Sequence, residues 1–133
     1  MRVLLDTNVI FSAVLKADST PMLAYRKAVT PPNQLLVCEQ TIEELRRTFN
    51  AKFPSRAQHL ESFLKNALPH LTVIAIPENP VADETRIRDE SDRVILRAAV
   101  AAQADILVSG DKDFLESGIL HPKILAAAAF VNL

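Results

Sequence analysis

Two short apolar runs, Val3-Leu4-Leu5 and Ile106-Leu107-Val108, show no polar alternation, and each gives way at once to turn residues and a carboxylate. Runs this short do not make a helix, and the missing alternation excludes a strand with one wet face. What remains is a strand buried on both faces, the mark of a parallel sheet covered by helices. Ligands of open parallel sheets bind beyond the carboxyl ends of the strands, near the switch in strand order. The first run ends in Asp6-Thr7-Asn8 and the second in Ser109-Gly110-Asp111-Lys112-Asp113. If the two strands are neighbours, about 4.8 Å apart, Asp6 and Asp111 face one pocket. Carboxylates that close repel unless a proton or a cation lies between them. Oxygen donors of this kind select hard divalent ions such as Mg²⁺ or Mn²⁺.

The rest of the chain alternates strands and helices, which predicts an α/β domain with a parallel sheet. The pattern gives strand 2–6, helix 8–16, helix 20–29, strand 35–38 and helix 39–51. Helix 55–68, strand 71–76, helix 90–103, strand 105–109, a short helix 112–117, strand 123–125 and helix 127–132 follow. Prolines mark the junctions: Pro21 opens a helix behind Ser19-Thr20, Pro31-Pro32 closes it, and Pro54 and Pro69 bracket another. Gly118 is placed to cap the short helix. No repeat, low-complexity tract or linker interrupts residues 1–133, so one domain is expected.

Composition removes several function classes. No apolar stretch approaches the roughly 18 residues of a membrane span, and Met1-Arg2-Val3-Leu4-Leu5-Asp6 lacks a secretion signal. A cytoplasmic protein with no membrane association is the expectation. Cys38 is the sole cysteine; it excludes an intrachain disulfide, suits a reducing compartment and reads as a small buried residue. The two glycines, Gly110 and Gly118, cannot build a glycine-rich phosphate loop. His59, His70 and His121 lack the paired spacing of zinc ligands. Charge is uneven: residues 1–77 carry 9 Lys/Arg against 6 Asp/Glu, and residues 78–133 carry 6 against 10. An acidic half that holds a metal and a basic half that meets phosphate would produce this division, although chance also produces differences of this size.

Further acids stand at helix starts. In Arg88-Asp89-Glu90-Ser91-Asp92-Arg93, Asp89 suits an N-cap. Asp92 precedes Ile95 and Leu96 by three and four residues and shares their face, which continues through Ala99 and Ala102. Alone, Asp92 reads as a cap-region charge that complements the helix dipole. Beside Asp6 and Asp111 it reads as a third site carboxylate. Glu43 and Glu44 both flank the stripe Ile42, Leu45, Phe49, so the helical wheel does not choose between them, and a solvated face accounts for either.

The stretch Leu5-Asp6-Thr7-Asn8-Val9-Ile10 resembles the opening of PIN-domain ribonucleases. Arg88-Asp89-Glu90-Ser91-Asp92, then a helix, then Ala104-Asp105-Ile106-Leu107-Val108-Ser109-Gly110-Asp111-Lys112-Asp113, resembles that family's second signature. Thr41-Ile42-Glu43-Glu44-Leu45-Arg46-Arg47 looks like the helix bearing its intervening acid, which falls on Glu44. The likeness spans nearly the whole chain and is strongest toward single-domain toxins of bacterial or archaeal toxin–antitoxin pairs, of the VapC kind. It implies a three-layer α/β/α sandwich with a parallel sheet of order 3-2-1-4-5, which places strand 1 beside strand 4. It implies catalytic roles for Asp6, Glu44, Asp92 and Asp111 around Mg²⁺ or Mn²⁺, with Asp113 a further metal ligand or outer acid. Asn8 and Ser109 would orient the carboxylates by hydrogen bonds; turn and cap chemistry explains them equally well. An RNA substrate, a cognate antitoxin protein and a homodimer are the implied partners. Cys38 stands where a Ser or Thr is usual, which weakens a cap, and Leu125-Ala126-Ala127 replaces a polar-then-proline helix start, so the last helix is expected to fray.

The chemistry calls for carboxylates because phosphodiester cleavage builds negative charge that a divalent ion neutralises. Arg46, Arg47, Arg93, Arg97 and Lys112 are candidate phosphate contacts; taken singly, each reads first as a solvated surface charge. The chain has no Trp and one Tyr, so base stacking has little to draw on. Two rival readings share the acidic strand ends: a receiver- or phosphatase-like Mg²⁺ domain, and a catalytically silent PIN-like interaction module. Asn8, where a phosphatase would carry a second Asp, speaks against the former.

Overall fold

The first apolar run becomes strand β1 (Arg2–Leu5) of a five-stranded sheet in a computed structural model describing residues 1–133. The others are β2 (Gln34–Cys38), β3 (Leu71–Ile74), β4 (Ile106–Val108) and β5 (Lys123–Leu125). All four pairings are parallel, and the order is β3-β2-β1-β4-β5, the order implied by the resemblance. Because successive strand residues face opposite sides, β1 divides its side chains between two cores. Val3 and Leu5 join Leu35, Val37, Ile106 and Val108 on one face. There they meet α1 (Thr7–Leu15), α2 (Thr20–Val29), α3 (Glu39–Lys52), α4 (Ala57–Ala67) and α7 (Ala127–Val131). Leu4, Leu36 and Leu107 turn to the other face and pack against α5 (Glu90–Ala101) and α6 (Lys112–Leu115) through Ile95, Leu96, Ala99 and Phe114. The result is three layers. No helix is long and apolar enough to cross a membrane.

Departures from the expected elements have local causes. The first helix starts one residue early, at Thr7, because the Asp6 carboxylate accepts the Thr7 N–H at 2.8 Å. Helix 55–68 resolves into a 3₁₀ turn at Pro54–Arg56, α4, and another 3₁₀ turn at Leu68–His70, where Pro69 lacks the N–H that would continue α4. Strand 71–76 stops at Ile74 and strand 105–109 shortens to Ile106–Val108. The short helix closes at Leu115 with Glu116 in place of Gly118 as its C-cap, and the Ser117 hydroxyl donates to the Phe114 carbonyl at 2.7 Å just beyond it. Gly118 follows with φ of 75°, a left-handed conformation that glycine adopts without strain. The last helix lacks an N-cap side chain, as its sequence foretells, but Lys27 Nζ donates to the Phe130 carbonyl at 2.8 Å and holds its far end.

One element has no precedent in the sequence reading, a 3₁₀ turn at Ala82–Arg86. Glu84 organises it, accepting the Val81 N–H at 2.9 Å and pairing with Arg97 Nε at 2.7 Å. The ion pair is shielded, and Arg97 holds the Glu84 carboxyl down at about 2. Arg97, expected as a phosphate contact, is thus tied to the fold and must be removed from that list.

Helix α5 ends in a hydrogen-bonding pattern that normally requires glycine. Ala104 N–H reaches back to the Ala99 carbonyl and Gln103 N–H to the Val100 carbonyl, with Gln103 at φ 55°. This is a Schellman close with a side-chain-bearing residue in the left-handed position, a conformation that costs roughly 1–2 kcal/mol. Gln103→Gly gives back part of that cost to a looser unfolded chain, so a net stabilisation of about 0.5–1 kcal/mol is expected. Urea denaturation measures it, and a destabilised variant would show that Gln103 is not strained.

Candidate metal centre

The pairing of β1 with β4 sets Leu5 opposite Val108, and Asp6 N–H continues the ladder to the Val108 carbonyl at 2.9 Å. Both strands therefore finish at the same edge, and each passes into a helix through an aspartate. Asp6 is the N-cap of α1, and Asp111 is the N-cap of α6, accepting the Asp113 N–H at 2.9 Å. Asp92 lies in the first turn of α5, where Asp89 provides the cap by accepting the Ser91 N–H. Helix N-termini carry partial positive charge, which makes the crowding of these acids tolerable. Asp92 points inward because Ile95 and Leu96, on its face, are buried against the sheet.

Helix α3 supplies the fourth acid and resolves the choice the helical wheel left open. Glu44 lines a pocket of about 250 Å³ together with Asp6, Asp92 and Asp111, whereas Glu43 is exposed. Gln40 fixes it there: its side-chain amide donates to Glu44 Oε1 at 2.7 Å and to the Ser91 carbonyl at 3.0 Å. One amide thus sets the gap between α3 and the start of α5. The hydroxyls of Thr7 and Thr41, 2.9 Å apart, tie the start of α1 to α3. Cys38, the N-cap residue of α3, is buried and makes no capping bond, as expected.

Carboxylate oxygens of Asp92, Asp111 and Asp113 approach within 4.8 Å of one another. Asp6 and Glu44 line the pocket but stand outside that triplet. Asp113 is also paired, through Oδ1, with the exposed Arg88 at 3.0 Å. Ser109, fully buried, donates to Asp6 Oδ2 at 2.8 Å and accepts the Asp111 N–H at 3.0 Å, so one hydroxyl orients both acids. Asn8 acts one step further away. Its carbonyl accepts the Gly110 N–H at 3.3 Å, steadying the loop that carries Asp111 and touching no carboxylate.

Burial pushes the Asp6 carboxyl up from 3.8 to about 6, against the lowering effect of its bonds to Ser109 and Thr7, with the charges of Asp111 and Glu44 adding to the rise. Asp92 rises further. Burial leads, a hydrogen bond shared with the Asp111 carboxyl follows, and the charges of Asp6, Asp111 and Asp89 contribute. An all-oxygen set whose members hold protons against their own repulsion fits a hard divalent ion, which takes the place of those protons. Asp92, Asp111 and Asp113 are the residues whose oxygens stand close enough to share one.

Most of the expected phosphate contacts are employed elsewhere. Arg46 pairs with Glu61 on α4 at 3.0 Å, and Arg93 donates to the Ile87 carbonyl at 2.7 Å. Arg47 and Lys112 are exposed but line no part of the pocket. Phe11, Thr48 and Lys52, absent from the residues expected at the site, complete the pocket wall. Spacing could have found two of them, since Thr48 and Lys52 follow Glu44 by four and eight residues on one helical face.

An α/β/α sheet with acids gathered where its first and fourth strands end defines a class of domain suited to binding a cation at that edge. Residues 2–113 match the family model of the PIN domain, and the chain belongs to that family. No curated protein matches the chain. Among solved structures, the fold is similar to that of VapBC2 from Rickettsia felis, described as bound to a DNA fragment from its promoter. The TM-score is 0.71 at 18% identity, over 95% of this chain and 98% of that one. It is also similar to Mycobacterium tuberculosis VapC20, described as a sarcin-ricin loop cleaving toxin. There the TM-score is 0.60 at 12% identity, over 88% of this chain and 95% of the other.

The acidic cluster predicts an inverted pH response. Between 3.8 and about 6 the folded chain keeps a proton on Asp6 that the unfolded chain has released. Metal-free stability should therefore fall as pH rises through that window. Glu84 acts at lower pH: its contribution is complete above 4.5 and is lost only as pH falls through about 2. Mn²⁺ at a hundredfold excess over its dissociation constant should add about 2.7 kcal/mol. Asp92→Asn should leave the metal-free protein at least as stable at pH 7 and shrink the Mn²⁺ shift. Thermal melts of both proteins check this, and equal Mn²⁺ shifts would remove Asp92 from the ligands.

Proposed function

We propose that the chain is a divalent-metal-dependent endoribonuclease and the toxin of a toxin–antitoxin pair. The observation that carries this reading is the convergence of Asp6, Glu44, Asp92 and Asp111 on one pocket in a member of the PIN-domain family. The likeness of fold to VapC20, described as a sarcin-ricin loop cleaving toxin, and to VapBC2, described as bound to a DNA fragment from its promoter, supports it. The substrate is then RNA, the work is cytoplasmic, and the partners are a cognate antitoxin and a second copy of the chain.

Asp92, Asp111 and Asp113 would hold Mg²⁺ or Mn²⁺, with Asp6 and Glu44 completing the negative wall. When bound, the ion supplies Lewis-acid stabilisation of the phosphodiester's developing charge and lowers the pKa of water. Ser109 keeps Asp6 and Asp111 in register through its paired hydrogen bonds, so the acids need no rearrangement as charge develops. Gln40 holds Glu44 in the pocket wall by a hydrogen bond to one carboxylate oxygen. In-line attack by water leaves a 5′-phosphate and a 3′-hydroxyl and makes no use of the 2′-hydroxyl as nucleophile.

Purified protein should cut single-stranded RNA in Mg²⁺ or Mn²⁺, yield 5′-phosphate ends and stop in EDTA. Asp6→Asn should abolish cutting without unfolding the chain. Ser109→Ala, which removes only the orienting hydroxyl, should lose about 10- to 100-fold. Cleavage that survives both EDTA and Asp6→Asn would overturn the reading. Purification from the native host should bring down a small partner protein, and recovery of a lone, active monomer would count against the toxin assignment.

A further inference from the structure

The acids explain how a metal would be held but leave the approach of an RNA strand unexplained, because four carboxylates repel a phosphate backbone. Lys52 is the one cation in the pocket wall. It is exposed and belongs to none of the ion pairs, which engage Arg46, Arg86, Arg88 and Arg97. An amine serving as internal counter-ion to the acids would pair with them, and Lys52 does not. Its position on α3 gives the reason. Glu44, Thr48 and Lys52 succeed one another on one face at about 6 Å per step along the axis, so Lys52 stands two steps away from the carboxylates, at the far end of the pocket. The pocket has one apolar side chain in its wall, Phe11. Phe11, one turn beyond Thr7 on α1, is partly buried and lines the same pocket. Its ring is braced edge-on against Phe49 at 5.3 Å between centroids and tilted against Phe53 at 5.9 Å.

We propose that Lys52 and Phe11 form a nucleotide subsite beside the carboxylates, Lys52 taking a backbone phosphate that flanks the scissile one and Phe11 stacking the adjoining base. The inference rests on the nuclease reading and adds where the strand lies: along α3, from Glu44 toward Lys52, in single-stranded form so that one base is free to stack. A ring held by two others stacks without losing much freedom, and the contact is indifferent to base identity because every base offers a π-face. A lysine contributes phosphate affinity of the kind that salt weakens.

The test measures binding of a single-stranded oligoribonucleotide and of its abasic counterpart to the Asp6→Asn protein in Mg²⁺, across a salt series. Lys52→Ala should weaken both strands about tenfold at low salt and flatten the log Kd against log salt slope by about 0.7; Lys52→Arg should restore them. Phe11→Leu, chosen to keep the core filled, should weaken the base-bearing strand about tenfold and the abasic strand not at all. If Asp6→Asn binds neither strand, the nuclease reading falls and the subsite with it. If it binds RNA and Lys52→Ala changes neither affinity nor slope, the subsite alone is overturned. Loss of a protein partner on Lys52→Ala, with RNA binding intact, would reassign Lys52 to a protein acid and overturn the proposal. Equal weakening of both strands by Phe11→Leu would remove the stacking role.

Discussion

The backbone pairing of β1 with β4 is the constraint from which the site follows. Parallel strands end on the same side of a sheet, so pairing Leu5 with Val108 brings Asp6 and the Ser109–Asp111 turn to one edge regardless of their mutual repulsion. Burial of strands packed on both faces far outweighs the electrostatic cost of a few crowded acids. The helices that begin there reduce that cost, since α1, α5 and α6 each direct an N-terminus at an acid.

Short polar side chains then fix what the sheet alone would leave loose. Ser109 spans β1 and the α6 turn, Gln40 spans α3 and α5, and the Thr7–Thr41 contact spans α1 and α3. Each joins elements distant in sequence, and Thr7 itself lines the pocket. The basic side chains are distributed in a complementary way. Arg46 and Arg97 are matched with acids away from the site and Arg88 with Asp113 at its edge, which leaves Asp6, Glu44, Asp92 and Asp111 without a paired cation and gives Lys52 its distinct standing.

Much of the site was legible because its signals are local. An apolar run ending in a carboxylate shows a strand end, and the spacing of Asp92 to Ile95 and Leu96 shows which way a helix faces. Glu44 became legible only by resemblance, since Glu43 and Glu44 flank the apolar stripe equally. Arg97 was misread because its partner, Glu84, lies thirteen residues earlier in a segment without periodicity, and only the packed fold brings the two to 2.7 Å. Gln103 gave no warning either: a left-handed helix close is usually announced by glycine, and here the position falls on a glutamine.

The sequence by itself determined a parallel sheet covered by helices and set Asp6, Asp92 and Asp111 at strand ends and helix starts, because hydrophobic period and capping chemistry act over a few residues. The strand order that brings those acids together was legible only by resemblance. The tertiary structure decided which cations remain free, which glutamate faces inward and which hydroxyl orients the acids. Those outcomes depend on contacts between distant segments, where hydrogen bonds and ion pairs a few ångströms long are settled by packing and no local pattern records them.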